Sequence, residues 1–196
     1  MTHPKLYLAG PDVFLENSGA IGAQKKAICA EHGLTGVFPA DHVVLGPDMS
    51  PREQGRAISA IMERLMGDCD AIIANLTPFH GPSTDVGTAY EVGYMRALGR
   101  PIFAYSNTAV RFPERVTAFF DGEITPRADG RPADPNGMEV ESFDLTDNLM
   151  IDGGIIASGG FIVTGETTEA ERYTCLAAFK ACVENAARAL KGVRSI

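Results

Sequence analysis

The run Asp70-Ala71-Ile72-Ile73-Ala74-Asn75-Leu76 is apolar through consecutive positions, without the in-out alternation of a strand wetted on one face. A strand of that kind is buried on both sides, as the central strands of parallel sheets are. The chain around it repeats the theme. Lys5–Ala9 is a short apolar strand ending in Gly10-Pro11, residues 35–38 form a second one broken by Pro39, and residues 101–105 form the next. Helical patterns lie between them: residues 18–32, with Asn17 or Ser18 as N-cap, residues 52–66, with Ile58, Ile61, Met62 and Leu65 at helical spacing, and residues 86–98, closed by Gly99-Arg100. Strands separated by helices of this length predict right-handed βαβ units and an α/β fold, a doubly wound parallel sheet of about five strands flanked by helices.

Beyond that point the pattern weakens. Residues 106–147 are irregular and rich in Pro and Gly, especially 125–137, which predicts a lid, a partner-contacting arm or disorder. Phe161–Thr164 is a short strand, and residues 168–191 read as the last helix, with Cys175, Ala178, Cys182 and Ala186 on one stripe. There is no internal repeat, and a single domain over residues 1–196 is expected.

Composition removes several function classes. A chain of 196 residues buries roughly 70% of its unfolded surface, so its core needs no metal or disulfide. The net charge is −8, and no Lys/Arg cluster reaches the density of a phosphate-tracking surface, which argues against long nucleic acid and anionic membranes as partners. No basic segment followed by an apolar stretch opens the chain, and no run approaches the length of a transmembrane helix. Cys29, Cys69, Cys175 and Cys182 show neither a CxxC pair nor zinc spacing, so reduced thiols in a cytoplasmic protein without a metal are expected. No GxxxxGK[ST] or GxGxxG motif is present, and no cofactor is expected.

In open parallel sheets, ligands bind beyond the carboxyl ends of the strands. The loops at those ends are residues 10–17, 76–85 and the stretch after Tyr105. The second is the most informative, because it places Asp85 and Glu91 around a helix start. Asp85 fits a plain N-cap as well as a ligand-binding carboxylate. Glu91 lies six residues on, on another face of the helix, surrounded by Tyr90, Val92, Tyr94 and Met95 and bracketed by Gly87 and Gly93. Each helix glycine costs roughly 1 kcal/mol against alanine, which suggests close approach of a backbone or ligand. Spacing alone does not separate a functional Glu91 from a solvated one. Tyr7 faces opposite to Leu6 and Leu8; its hydroxyl points to the crevice or, more commonly for such a residue, stays in the core. His42 and His80 lie in loops, where solvated histidines are the rule.

The segments Lys5–Pro11, Cys69–Phe79, Asp85–Tyr94 and Asn148-Leu149-Met150 together resemble the nucleoside 2-deoxyribosyltransferase family, over about residues 5–150. The resemblance implies a flavodoxin-like fold and transfer of 2-deoxyribose between nucleobases with retention, without a cofactor. Glu91 matches the nucleophile that forms a glycosyl ester. Tyr7 matches the hydroxyl that orients it, and Asp85 the carboxylate that holds a sugar hydroxyl. Gly10, Phe14, Asn75 and Gly87 are the further substrate-binding positions, while Asn148 and Met150 match a segment that completes the sugar pocket of a neighbouring subunit. A deoxynucleoside, a free nucleobase and a second copy of the chain are therefore the expected partners. A helix N-terminus is expected to hold Glu91 ionised.

Related deoxynucleotide N-hydrolases carry a small or hydroxyl residue where Asp85 stands, since a second anion would repel a 5′-phosphate. Nucleosides are thus the expected substrates, although Ser83 and Thr84 could form a phosphate nest. One departure is evident: Met62 occupies the position where the family usually has the Asp or Asn that handles the leaving base, with Glu63 beside it. Side hydrolysis, or a nucleoside or deoxynucleotide N-glycoside hydrolase, is the alternative. A resemblance to phosphoribohydrolases fails on the missing Pro-Gly-Gly of their PGGxGTxxE motif, and a nucleoside-binding module without catalysis is the non-enzymatic reading.

Overall fold

The computed structural model describes residues 3–193; Met1 and Thr2, with which the N-terminal reading began, lie outside the described residues. The main sheet contains β1 (Lys5–Ala9), β2 (Thr35–Val37), β3 (Ala71–Asn75), β4 (Ile102–Ser106) and, late in the chain, β7 (Phe161–Thr164). All are parallel in the order β2-β1-β3-β4-β7. This is the flavodoxin-like arrangement, and its order reverses between β1 and β3. The expected strands lie within a residue or so of those observed.

Alternation along each strand divides the core in two. Leu6, Leu8, Ile73, Phe103 and Tyr105 face one side, where α1 (Ser18–Glu31) and α6 (Ala177–Val193) cover them through Cys29, Phe179, Cys182 and Val183. Tyr7, Ala9, Ile72, Ala74 and Ala104 face the other side, under α2 (Pro51–Gly67), α3 (Val86–Ala97) and α5 (Leu149–Ala157), which contribute Met66, Val92, Met95 and Ile155. Period-two burial on both faces is what made the strands so apolar in sequence.

The helix starts are chemically explicit. Ser50 accepts from the Glu53 amide while Glu53 accepts from the Ser50 amide, a capping box that fixes α2 behind Pro51. Asp85 caps α3 and Asn148 caps α5 through their side chains.

Three expectations change. The stretch 106–147 is not structureless: it contains α4 (Phe112–Phe119) and an antiparallel hairpin of β5 (Thr125–Pro126) with β6 (Pro132–Ala133). The helix α5 was not expected, because Leu-Met-Ile-Asp-Gly-Gly-Ile-Ile-Ala has no polar face and carries two glycines. The last helix begins at Ala177 rather than near 168. Residues Glu169–Glu171 form only a 3-10 turn, and Cys175 stands outside the helix.

Candidate active site

At the reversal point of the sheet, β1 and β3 end against the start of α3. Tyr7 is fully buried on the α2/α3 face, and its hydroxyl donates to Glu91 Oε1 at 2.5 Å. A cavity of about 350 Å³ opens on Glu91, with Tyr7 buried behind it, and is lined by Gly10, Phe14, Met62, Asp85, Gly87 and Glu91 among others. The two carboxylates do converge on one space, although the helix turns them to different faces. Glu91 and Gly87 also border a second hollow of about 340 Å³ along the α2/α3 seam, with Met62 and Glu63.

Burial dominates the electrostatics. It pushes the Glu91 carboxyl up from 4.5 to about 7; the Tyr7 hydrogen bond opposes that rise, and repulsion from Asp85 adds to it. Glu91 is the sixth residue of α3, beyond the first turn where the helix end acts. The expectation that the helix N-terminus keeps it ionised is therefore corrected: desolvation wins, and the group is poised near neutrality. Tyr7 is pushed far up by burial and then by the adjacent Glu91, so it remains a hydrogen-bond donor.

Asp85 uses Oδ2 to accept from the Thr88 amide at 2.9 Å and from the Thr88 hydroxyl at 3.2 Å. Its Oδ1 has no hydrogen-bond partner among the described residues, so N-cap and ligand acceptor are compatible roles. Gly10 sits at φ 151°, and a Cβ there would lie 2.6 Å from Asn75 Cβ, so no other residue fits between β1 and the cavity. Phe14 is 65% exposed at the rim and stacks on Phe79 at 5.3 Å.

Asn75 is placed differently from expectation. It is fully buried behind the cavity, donating to Asp12 Oδ1 at 3.0 Å and accepting from the Thr77 amide at 3.0 Å. Its amide thus supports the Gly10 loop. Asp12 in turn forms a buried ion pair with Lys25, whose ammonium lies over the Tyr105 and Phe179 rings. Asp12 and Lys25 gave no signal in the sequence, where an isolated charge reads as surface.

Asn148 and Met150 are not brought to Glu91 within the chain. They border a separate apolar groove of about 940 Å³ between α3 and α5, and Met150 is 74% exposed. The prospective phosphate nest is occupied as well: Ser83 and the Thr84 amide both donate to the carboxylate of Asp147, the Thr84 bond at 2.9 Å. Glu63 accepts from the Tyr90 hydroxyl at 2.5 Å. His80 stacks on Phe79 in the loop after β3. All four cysteines are free. Among the described residues, no group of three or more His, Cys, Asp or Glu is arranged to hold a metal ion, and no helix is long and apolar enough to cross a membrane.

Comparison with known proteins identifies the family. A 34% identical, uncharacterised protein of Schizosaccharomyces pombe matches over 169 residues, covering 81% of this chain and 80% of its own. The solved 2-desoxiribosyltransferase of Leishmania mexicana is similar at 28% identity and a TM-score of 0.57, over 76% of this chain and 85% of that one. A conserved protein from Enterococcus faecalis V583 shares the fold, at 18% identity and a TM-score of 0.52 over 94% and 99% of the two chains. The family model for nucleoside 2-deoxyribosyltransferases matches residues 6–150, which include the sheet's first four strands, the Tyr7–Glu91 pair and the Asn148 cap. The chain belongs to the nucleoside 2-deoxyribosyltransferase family of glycosyl-transferring enzymes.

Proposed function

We propose that this enzyme transfers 2-deoxyribose between nucleobases by double displacement, with Glu91 as the nucleophile. The observation that carries the reading is the Tyr7–Glu91 hydrogen bond at the wall of a cavity that also receives Asp85. Tyr7 occupies Oε1, which leaves Oε2 to attack C1′. The new C1′–O bond forms as the C1′–N bond breaks, and the leaving base keeps the electron pair and takes up a proton from water. A second base attacks C1′ through a ring nitrogen, gives up its proton, and returns the carboxylate of Glu91. Two inversions give net retention.

Asp85 Oδ1 holds a sugar hydroxyl, and Gly10, Gly87 and Phe14 shape the walls around sugar and base. The uncharged nucleoside is the substrate, because Asp85 would repel a 5′-phosphate and Asp147 already fills the Ser83–Thr84 donors. Asn148 and Met150 complete the site of a neighbouring subunit in a homo-oligomer, which the exposure of Met150 favours. The whole chain acts as one domain in cytoplasmic nucleoside salvage, in keeping with its unpaired thiols.

A second reading, hydrolysis, is favoured by one observation. The α2 wall beside Glu91 presents Ile58 and Met62, neither of which can protonate or hydrogen-bond a base. Water then competes with the acceptor base for the same glycosyl ester. Incubation with 2′-deoxyinosine and adenine, followed by chromatography, separates the two. Deoxyadenosine that disappears in Glu91→Ala supports transfer; hypoxanthine without deoxyadenosine means a hydrolase.

A further inference from the structure

Asp147 is fully buried, and its two oxygens accept four hydrogen bonds. Oδ1 accepts from the Ser83 hydroxyl and from the Asn148 amide at 2.8 Å; Oδ2 accepts from the Thr84 amide at 2.9 Å and from Arg115 Nη2 at 3.2 Å. Arg115, on α4 and also buried, donates through Nε to the Pro82 carbonyl at 2.7 Å and through Nη1 to the Val110 carbonyl at 2.8 Å. Together they grip residues 82–84, the peptide immediately before Asp85.

This carboxylate is held by donors and a guanidinium that would otherwise bind an anion, and it comes from 62 residues further along the chain than Asp85. Every lone pair is used, so little freedom remains for the peptide it holds. We infer that Asp147 is a positioning residue: its carboxylate fills an anion niche formed by Ser83, the Thr84 amide and Arg115, and thereby fixes the peptide that delivers Asp85 to the sugar. The inference rests on the reading that Asp85 binds a sugar hydroxyl. It adds a consequence, namely that a small free carboxylate can replace Asp147 once its side chain is removed. The same carboxylate also anchors the Asn148 amide, so the start of α3 and the start of α5 are set by one group.

A positioning role and a merely structural one predict different kinetics. Asp85 contacts the sugar in both ground and transition states, so its displacement raises KM and leaves kcat largely intact. Simple loss of folded enzyme lowers the apparent kcat and leaves KM unchanged.

The test is steady-state transfer from 2′-deoxyinosine to adenine by Asp147→Ala, with sodium formate titrated against sodium chloride at matched ionic strength. KM for deoxyinosine is expected to rise at least about tenfold, as the loss of charged hydrogen bonds predicts. Formate should bring it back toward the wild-type value and raise the melting temperature of the variant but not of the wild type. A fall in kcat at unchanged KM, or no response to formate beyond that to chloride, overturns the inference. Ser83→Ala covers the case in which Asp147→Ala does not fold: it removes one bond to the carboxylate, should raise KM about threefold, and should not respond to formate. An unchanged KM in Ser83→Ala is contrary to the inference. Should the wild type itself turn nothing over, the transferase reading fails separately, and the formate-dependent melting of Asp147→Ala still decides whether the niche exists.

Discussion

On one side of β1, Asp12 is buried against Lys25 and accepts from the Asn75 amide. On the other side, Glu91 accepts from one neutral donor, the Tyr7 hydroxyl, and has no cation partner among the described residues. Asp12 is fully buried and Glu91 partly so, both beside the same strand. Asp12 is neutralised by its partner and holds the Gly10 loop in place. Glu91 receives no such compensation, and burial pushes its carboxyl up to about 7. The contrast shows how one fold makes a structural anion and a reactive one: the difference lies in whether a buried carboxylate is given a counter-charge.

The comparison breaks most sharply at Glu91 itself. Glu91→Ala should lower kcat by about 10⁴-fold or more, because a nucleophile has no substitute within the cavity; stopped assays on the transfer reaction measure this. On the other side, Lys25→Met leaves Asp12 buried without its cation. Denaturant unfolding should show a loss of about 3–5 kcal/mol.

Glu91→Gln tests the missing counter-charge directly. The folded state holds the Glu91 proton to a higher pH than the unfolded chain does. Stability from this group is therefore present below about 4.5, falls as pH rises through about 7, and is lost above it. The amide removes that cost, so the variant should be more stable than wild type at pH 8 by up to about 3 kcal/mol. The gap should close below the unfolded-state value. Equal unfolding free energies at both pH values would contradict the account.

The smallest effects lie in the neighbours of Glu91. Tyr7→Phe should lower kcat/KM about tenfold by removing one hydrogen bond to a charged group. It should also move the acid limb of the pH profile upward from about 7, because that bond favours the ionised carboxylate. Asp85→Asn should move the same limb downward by removing a repelling charge. A limb that moves with neither substitution belongs to another group.

The sequence made the central sheet legible because its strands are buried on both faces and bounded by Gly and Pro. Position at strand ends and a helix start marked Glu91, Asp85 and Tyr7 without deciding their roles; in the fold Glu91 and Asp85 line one cavity, and Tyr7 reaches it only through its hydrogen bond to Glu91. Asn75, expected to touch substrate, is buried with its amide on Asp12 and Thr77, since a residue at a strand end can face the ligand or support the loop behind it, and alternation alone does not distinguish these. Helix α5 was hidden by its lack of a polar face. The order in residues 106–147 was hidden because it depends on partners remote in sequence: Arg115 with Asp147, and Glu141, which accepts from the Asn148 side chain at 2.6 Å and the Leu149 amide at 3.0 Å. No local periodicity encodes such pairs.

The most direct measurement is the mass of the Glu91 peptide after the enzyme is mixed with 2′-deoxyinosine in the absence of an acceptor base and quenched in acid. A mass increase of one deoxyribosyl group on that peptide, lost when adenine is added before the quench, is the result expected of a covalent glycosyl-Glu91 intermediate. Transfer that proceeds with no adduct on Glu91, or with the sugar on another residue, would contradict it.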